Sequence, residues 1–174
     1  MAHRPADASL VENAIDAWAS NIYILVRDGG RAQITVTDDG RGMSRDDLRL
    51  AIERHATSKL PDDDLQNISS LGFRGEALAS IGAVSRLQLT SSRQNDEEAW
   101  ILSVTGGVVG TPEPIAHPVG TRIDVRDLFF NTPARLKFLK TPRAEVVHFS
   151  EVLIRLALAH ANLRVVPTGR PGDP

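Results

Sequence analysis

The sequence predicts an α+β fold: a two-layer α/β sandwich in which a mixed, mostly antiparallel sheet carries helices on one face. Three observations lead there. Apolar residues alternate with polar ones over several short stretches, most of them joined by glycine or polar turns. Helical spacing appears between pairs of these stretches rather than after every one. The regular strand–helix alternation that a doubly wound parallel sheet needs is absent. The 174 residues, 41% hydrophobic and 24% charged, suit one domain with an ordinary core. We place that domain at residues 1–166 and read the proline- and glycine-rich 167–174 as a linker.

Leu10, Val11, Ala14, Ile15 and Trp18 repeat at helical spacing over residues 8–19, leaving Ser9, Asn13 and Asp16 on the other side. A strand follows over 21–27 (Ile22, Ile24, Val26), then a turn at Asp28-Gly29-Gly30 and a returning strand over 33–37. Ser44 can cap a helix from Arg45 to about 54, with Leu48, Ala51 and Ile52 as its apolar stripe. Residues 55–71 have weak periodicity and contain Pro61-Asp62-Asp63-Asp64, which reads as a long loop or lid. A helix is expected over 75–81. Strands are expected over 85–91, 99–105 and 120–127, with Gly106-Gly107 turning the chain. Pro133 suits the first position of a short helix. A longer helix over 146–160 and a strand over 163–166 complete the chain, and Phe129, Phe130 and Phe138 read as core.

Composition excludes more than it assigns. The net charge of −2 gives no global field for nucleic acid, and the absence of cysteine removes disulfides, thiolate metal sites and a cysteine nucleophile. No apolar run reaches the roughly 20 residues of a membrane span. No hydrophobic segment follows Met1-Ala2-His3-Arg4-Pro5, so a cytoplasmic protein is expected.

Two motifs carry chemistry. In Asp38-Asp39-Gly40-Arg41-Gly42-Met43 a carboxylate ends a strand, and Gly40 and Gly42 let the backbone turn tightly or approach a ligand. Such a carboxylate can accept a hydrogen bond from an exocyclic amine like that of adenine; a surface turn with a solvated aspartate pair is the alternative. In Gly72-Phe73-Arg74-Gly75-Glu76-Ala77-Leu78 a glycine-arginine loop opens a helix, where free N–H groups and the helix dipole bind anions. No Gly-Lys-Ser/Thr follows, so this is not a P-loop, and Glu76 as a plain helix cap is the alternative. Asn13 is a poor mid-helix residue whose amide oxygen can help hold a Mg²⁺ that also takes phosphate oxygens. Thr57, Ser58 and Lys59 place two hydroxyls and an ammonium in the lid, and Thr121 starts a strand where its hydroxyl can reach a ligand or pair across the sheet. Arg122, Arg126, Arg135, Lys137, Lys140 and Arg143 oppose only Asp124 and Asp127, making a basic run that is either a DNA-phosphate contact or a solvated face. The histidines lack metal-ligand spacing.

Leu10-Val11-Glu12-Asn13-Ala14-Ile15-Asp16-Ala17, Arg54-His55-Ala56-Thr57-Ser58-Lys59, Leu71 to Ile81 and Asn131-Thr132-Pro133-Ala134-Arg135 together resemble the ATP-binding domain of the MutL family of DNA mismatch-repair proteins. That family belongs to the GHKL superfamily with gyrase, the ninety-kilodalton heat-shock chaperone and the histidine kinases. The likeness runs from Arg4-Pro5 to about His160. It implies a GHKL-type ATPase fold, with ATP and Mg²⁺ as cofactors. Asn13 would chelate the metal and Asp38 would bind the adenine amine, in a pocket shaped by Gly40 and Gly42. Thr57, Ser58 and Lys59 would belong to the lid, Gly72, Phe73, Arg74, Gly75, Glu76 and Ala77 would line the phosphates, and Thr121 would support the adenine end. It also implies ATP-driven lid closure and dimerisation, slow hydrolysis, and DNA and mismatch-repair partners such as a mismatch-recognition protein, a nuclease or a helicase.

The chain departs from that pattern. The family's water-polarising Glu, four residues before the Mg²⁺-binding Asn, is here Ser9, and a serine hydroxyl is no base near neutral pH without an activator. The segment before it is about two residues shorter than in the family, and Trp18 stands where a small Gly is expected. The family's N-terminal arm and the following domain, with its lysine for the γ-phosphate, are not seen in this sequence. A non-hydrolysing nucleotide-responsive module is therefore the second reading, and a DNA-binding domain using the basic 122–143 face the third.

Overall fold

The computed structural model describes residues 6–53, 77–160 and 162–168. Among these residues eight strands and four α-helices follow in order: α1 (Ala6–Asp16), β1 (Asn21–Arg27), β2 (Gln33–Asp38), α2 (Arg45–Ile52), α3 (Ala77–Gly82), β3 (Arg86–Ser92), β4 (Ala99–Thr105), β5 (Val108–Val109), β6 (Glu113–Ile115), β7 (Gly120–Arg126), α4 (Pro142–Ala159) and β8 (Arg164–Thr168). They form one sheet in the order β5-β4-β3-β7-β2-β1-β8, with β6 also paired to β4. Among the described residues only the β1–β8 pairing is parallel. The fold is the α+β sandwich that the sequence predicts.

Period two decides which face each residue takes. Ile22 and Ile24 of β1, Ile34 and Val36 of β2, Leu87 and Leu89 of β3, Leu102 and Val104 of β4, and Ile123 and Val125 of β7 point to one face. There they pack with Leu10, Val11 and Ala14 of α1, Leu48 and Ile52 of α2, Leu78 and Ile81 of α3, and Phe149 of α4. The intervening residues face away from every described helix.

Local chemistry fixes the helix ends. The Ser44 hydroxyl accepts from the Asp47 N–H and the Asp47 carboxylate accepts from the Ser44 N–H, a capping box that starts α2 where expected. α1 ends in a Schellman turn: the Ala19 N–H donates to the Ala14 carbonyl and the Trp18 N–H to that of Ile15. Trp18 thus holds the left-handed position, φ 62°, that glycine fills without strain. The ring does not crowd the next turn, because it points outward, 81% exposed, with the Arg41 guanidinium 5.7 Å above it.

Several expectations are corrected. α4 begins at Pro142 rather than 146, since Thr141 caps it and proline is well placed in a first turn. The short strands β5 and β6 carry too few residues to show alternation. β8 spans Arg164–Thr168 rather than 163–166, because Pro167 and Thr168 pair with Ile24 and Leu25. Of the three phenylalanines only Phe129 is core; Phe130 and Phe138 are 39% and 88% exposed. Phe130 instead lies beneath Arg86, whose guanidinium is 4.8 Å from its ring centre. Residues 133–138 form a 3-10 helix starting at Pro133, as anticipated. The lid at 55–71 lies outside the described residues. No helix among the described residues is long and apolar enough to cross a membrane.

Candidate nucleotide site

On three adjacent central strands the inward row changes from aliphatic to polar at the same end of the sheet. Val36 gives way to Asp38, Leu89 to Ser91, and Ile123 to Thr121. The register places the three side by side, Asp38 opposite Thr121 and Thr121 opposite Ser91. All three are buried.

Three backbone close approaches hold this end together. Gly40 lies against α1, where a Cβ would stand 2.8 Å from the Ala17 carbonyl oxygen and 2.9 Å from Asp38 Oδ1. Gly42, at φ 67°, leaves no room for a Cβ against the Ser92 carbonyl, and Gly120, at φ 125°, leaves none against that of Asp38. Hydrogen bonds tie the same pieces. The Arg41 N–H donates to the Ala17 carbonyl at 2.9 Å, joining the loop to the helix that carries Asn13. The Met43 N–H donates to Ser91 Oγ at 2.8 Å, and Ser91 Oγ lies 2.9 Å from both the Gly120 carbonyl and Thr121 Oγ1. Asp39 accepts from the N–H groups of Ser20 and Asn21, each at 2.8 Å, and from Asn21 Nδ2 at 2.6 Å. The aspartate pair therefore divides its work: Asp39 is a structural clamp and Asp38 faces inward.

Burial raises the Asp38 carboxyl to about 6, against the lowering effect of the Gly40 and Thr121 N–H groups that donate to it, and with a small upward push from Asp39. No cation among the described residues appears among these influences. A buried carboxylate held only by two backbone N–H groups keeps acceptor capacity for a neutral donor such as an exocyclic amine. Asn13 sits on α1, half-buried, one turn before Ala17, whose N–H donates to its carbonyl at 3.0 Å. Ser9 is half-buried one turn earlier. Ala77 opens α3, which packs against α1 and α2.

The structure thus brings together Asp38, Gly40, Gly42 and Thr121, and sets Asn13 one turn before the residue that Gly40 and Arg41 contact. Thr57, Ser58, Lys59, Gly72, Phe73, Arg74, Gly75 and Glu76 lie outside the described residues. Ser91 was missed by the motif reading, although its signal is present: it is the polar residue that breaks the Leu87, Leu89 alternation.

Residues 2–110 match the family described as histidine kinase-, DNA gyrase B- and HSP90-like ATPase. The chain belongs to this ATPase family. It is 64% identical over 159 residues to the DNA mismatch repair protein MutL of Rhodospirillum rubrum, covering 90% of this chain and 25% of that protein. It is 60% identical to MutL of Paramagnetospirillum magneticum, covering 92% and 27%. Among solved structures it is similar to the Aquifex aeolicus MutL ATPase domain complexed with ADP, with a TM-score of 0.78 and 28% identity over 99% of this chain and 63% of that one. The resemblance to MutL drawn from the motifs is borne out. The chain spans about a quarter of the length of these two MutL relatives.

Within this ATPase family the basic run must be divided. Arg122 and Arg126 lie on the outward face of β7, whereas Arg135 and Lys137 lie on the 3-10 helix and Lys140 and Arg143 at the start of α4. The start of α4 packs on the β1–β2 turn, where the Arg31 guanidinium donates to the Lys140 carbonyl at 2.7 Å. That turn is the end of β2 remote from Asp38. The six basic residues are therefore carried by three elements: β7, the 3-10 helix and the start of α4.

Proposed function

We propose that this chain is the ATP-binding domain of a MutL-type DNA mismatch-repair protein. The observation that carries this reading is the under-satisfied buried carboxylate of Asp38, in a row with Thr121 and Ser91 and beside glycines that close packing requires. Asp38 accepts the amine of adenine, Gly40 and Gly42 shape the pocket floor, and Thr121 supports the base. The donor set also fits magnesium. No group of three His, Cys, Asp or Glu side chains among the described residues forms a metal cage. An amide oxygen from Asn13 suits an ion that takes its remaining ligands from phosphates and water. Bound Mg-ATP supplies the phosphoryl charge that the 72–77 loop and the 57–59 hydroxyls and ammonium are suited to hold. In the longer protein, nucleotide binding drives closure and dimerisation and switches contacts with DNA and repair partners.

Calorimetric titration with ATP and Mg²⁺ tests the reading. Saturable binding is expected, lost in Asp38→Ala; equal binding by the variant contradicts it. Ser9 makes turnover slow, because no carboxylate stands one turn before Asn13. Phosphate release abolished by Asn13→Ala and raised at least tenfold by Ser9→Glu is expected. Release unchanged by Ser9→Glu contradicts the role given to that position.

A further inference from the structure

Ser91 is fully buried near the end of β3 and ties the loop after Gly42 to the start of β7. Its Oγ accepts from the Met43 N–H at 2.8 Å and lies 2.9 Å from both the Gly120 carbonyl and Thr121 Oγ1. A hydroxyl has one proton and two lone pairs, so these three contacts fix its proton order. A carbonyl only accepts, so the Ser91 proton goes to Gly120. One Ser91 lone pair takes the Met43 N–H, and the other is left for Thr121. Thr121 is therefore the donor in the hydroxyl pair. The reverse order would leave the Ser91 and Gly120 oxygens 2.9 Å apart with no proton between them.

We propose that Ser91 is a positioning residue for base selection: by holding the Thr121 proton it leaves the inner end of the pocket lined with acceptors, which select a base bearing an amine over one bearing a carbonyl. The proposal rests on the adenine reading of this pocket and adds the residue that sets its preference. Thr121 has two protons to give, and both are committed, its N–H to the Asp38 carboxylate and its hydroxyl to Ser91. The Gly40 N–H is committed to Asp38 Oδ1 at 2.9 Å. What Asp38 and Thr121 hold in reserve on the inward face is lone pairs. An exocyclic amine carries two protons and can serve both. A carbonyl brings a further acceptor and leaves buried lone pairs opposed. Rejection through unpaired buried polar groups is stronger than rejection by fit alone. Without Ser91 the Thr121 hydroxyl regains a free proton and can turn it toward a carbonyl.

Calorimetric titrations with ATP and with inosine triphosphate, whose base carries a carbonyl where adenine carries the amine, test it in the presence of Mg²⁺. They are run at a pH near 8, where Asp38, raised to about 6, is ionised. The readout is the ratio of the two affinities, because loss of the Met43 tether alone weakens both nucleotides alike. Ser91→Ala is expected to lower the ATP preference about fivefold, the effect of one buried hydrogen bond on the base. Ser91→Thr keeps the hydroxyl and is expected to hold the parent ratio. In a Thr121→Val background there is no hydroxyl proton to direct, so adding Ser91→Ala is expected to leave the ratio unchanged. If thermal melting shows that Ser91→Ala does not fold, Ser91→Cys replaces it with the same outcomes, since a thiol is a weak acceptor. An unchanged ratio in Ser91→Ala, or an equal fall in the Thr121→Val background, overturns the proposal. ATP binding by the parent that Asp38→Ala removes then leaves the nucleotide reading standing. A folded parent that binds neither nucleotide overturns both.

Discussion

Asp38 and Asp124 are 7% and 5% exposed, on adjacent antiparallel strands of one sheet, yet burial has opposite consequences for them. Asp38 faces the helices; Asp124 faces the open side. Burial pushes both upward. At Asp124 it is overcome by hydrogen bonds from Gln33, Arg126 and Thr35 and by the Arg126 charge, which hold the carboxyl below its usual range. At Asp38 two backbone N–H groups do not overcome it, and the carboxyl rises to about 6. A satisfied buried carboxylate belongs to the fold. Asp38 bears a desolvation penalty with no cation beside it among the described residues, the condition that makes a buried carboxylate a candidate binding group.

The largest effect that sharpens this contrast is steric. Gly42→Ala at the Asp38 end meets both a left-handed φ and the Ser92 carbonyl, and is expected to destabilise by about 3 kcal/mol and to abolish ATP binding. Gly107→Ala at the far end also has a positive φ, but its nearest neighbour is Ala83 Cα at 3.7 Å, so about 1 kcal/mol is expected. Urea melts of the two variants check the difference, and equal losses would break the comparison.

Asp124→Ala leaves Arg126, Gln33 and Thr35 without their shared acceptor and is expected to destabilise by about 2 kcal/mol, with ATP affinity within about twofold of the parent. Chemical denaturation beside calorimetry reads both quantities. A larger affinity loss would mean that the open face and the pocket are coupled.

The pH dependence separates the two groups by sign. A carboxyl raised to about 6 from 3.8 binds its proton more tightly in the folded state, so its contribution to stability is fully present below 3.8 and is lost as pH rises through about 6. Asp38→Asn is therefore expected to stabilise the nucleotide-free chain by about 1–2 kcal/mol at pH 8, with the gain vanishing near pH 4. Asp124 is depressed, so its contribution is present above 3.8 and is lost as pH falls through its lower folded value. Asp124→Asn should be destabilising at neutral pH and progressively less so in acid. Stability curves of the same slope for both variants would contradict the assignment.

The smallest effect concerns the end of α1. Trp18→Gly removes a left-handed tryptophan and is expected to stabilise by about 1 kcal/mol in a thermal melt, leaving the pocket intact. A loss of stability would show that the Arg41 stacking outweighs the strain.

What the sequence could and could not reveal follows the same physics. The five long antiparallel strands and the α2 cap were legible because alternation and Ser44 with Asp47 are local signals. Asp38, Gly40 and Gly42 were legible as a motif. Ser91 and Asp124 were not, because their roles depend on cross-strand neighbours that only the register supplies: Thr121 for one, Gln33 and Thr35 for the other. The same is true of the basic run, whose members are near in sequence but are carried by different elements. Phe130 and Phe138 read as core by residue type, and only tertiary packing places them outside.

The most direct test of the account sets the two aspartates against each other. ATP and GTP are titrated in the presence of Mg²⁺ into the parent chain, Asp38→Asn and Asp124→Asn at one pH near 8. The account predicts that the parent and Asp124→Asn bind ATP alike and reject GTP, whose base presents an acceptor where adenine presents an amine. Asp38→Asn should lose at least tenfold in ATP affinity and most of the discrimination. Equal ATP binding by Asp38→Asn, or an equal loss in Asp124→Asn, would contradict the claim that the carboxylate held by two backbone N–H groups is the one that reads the nucleotide.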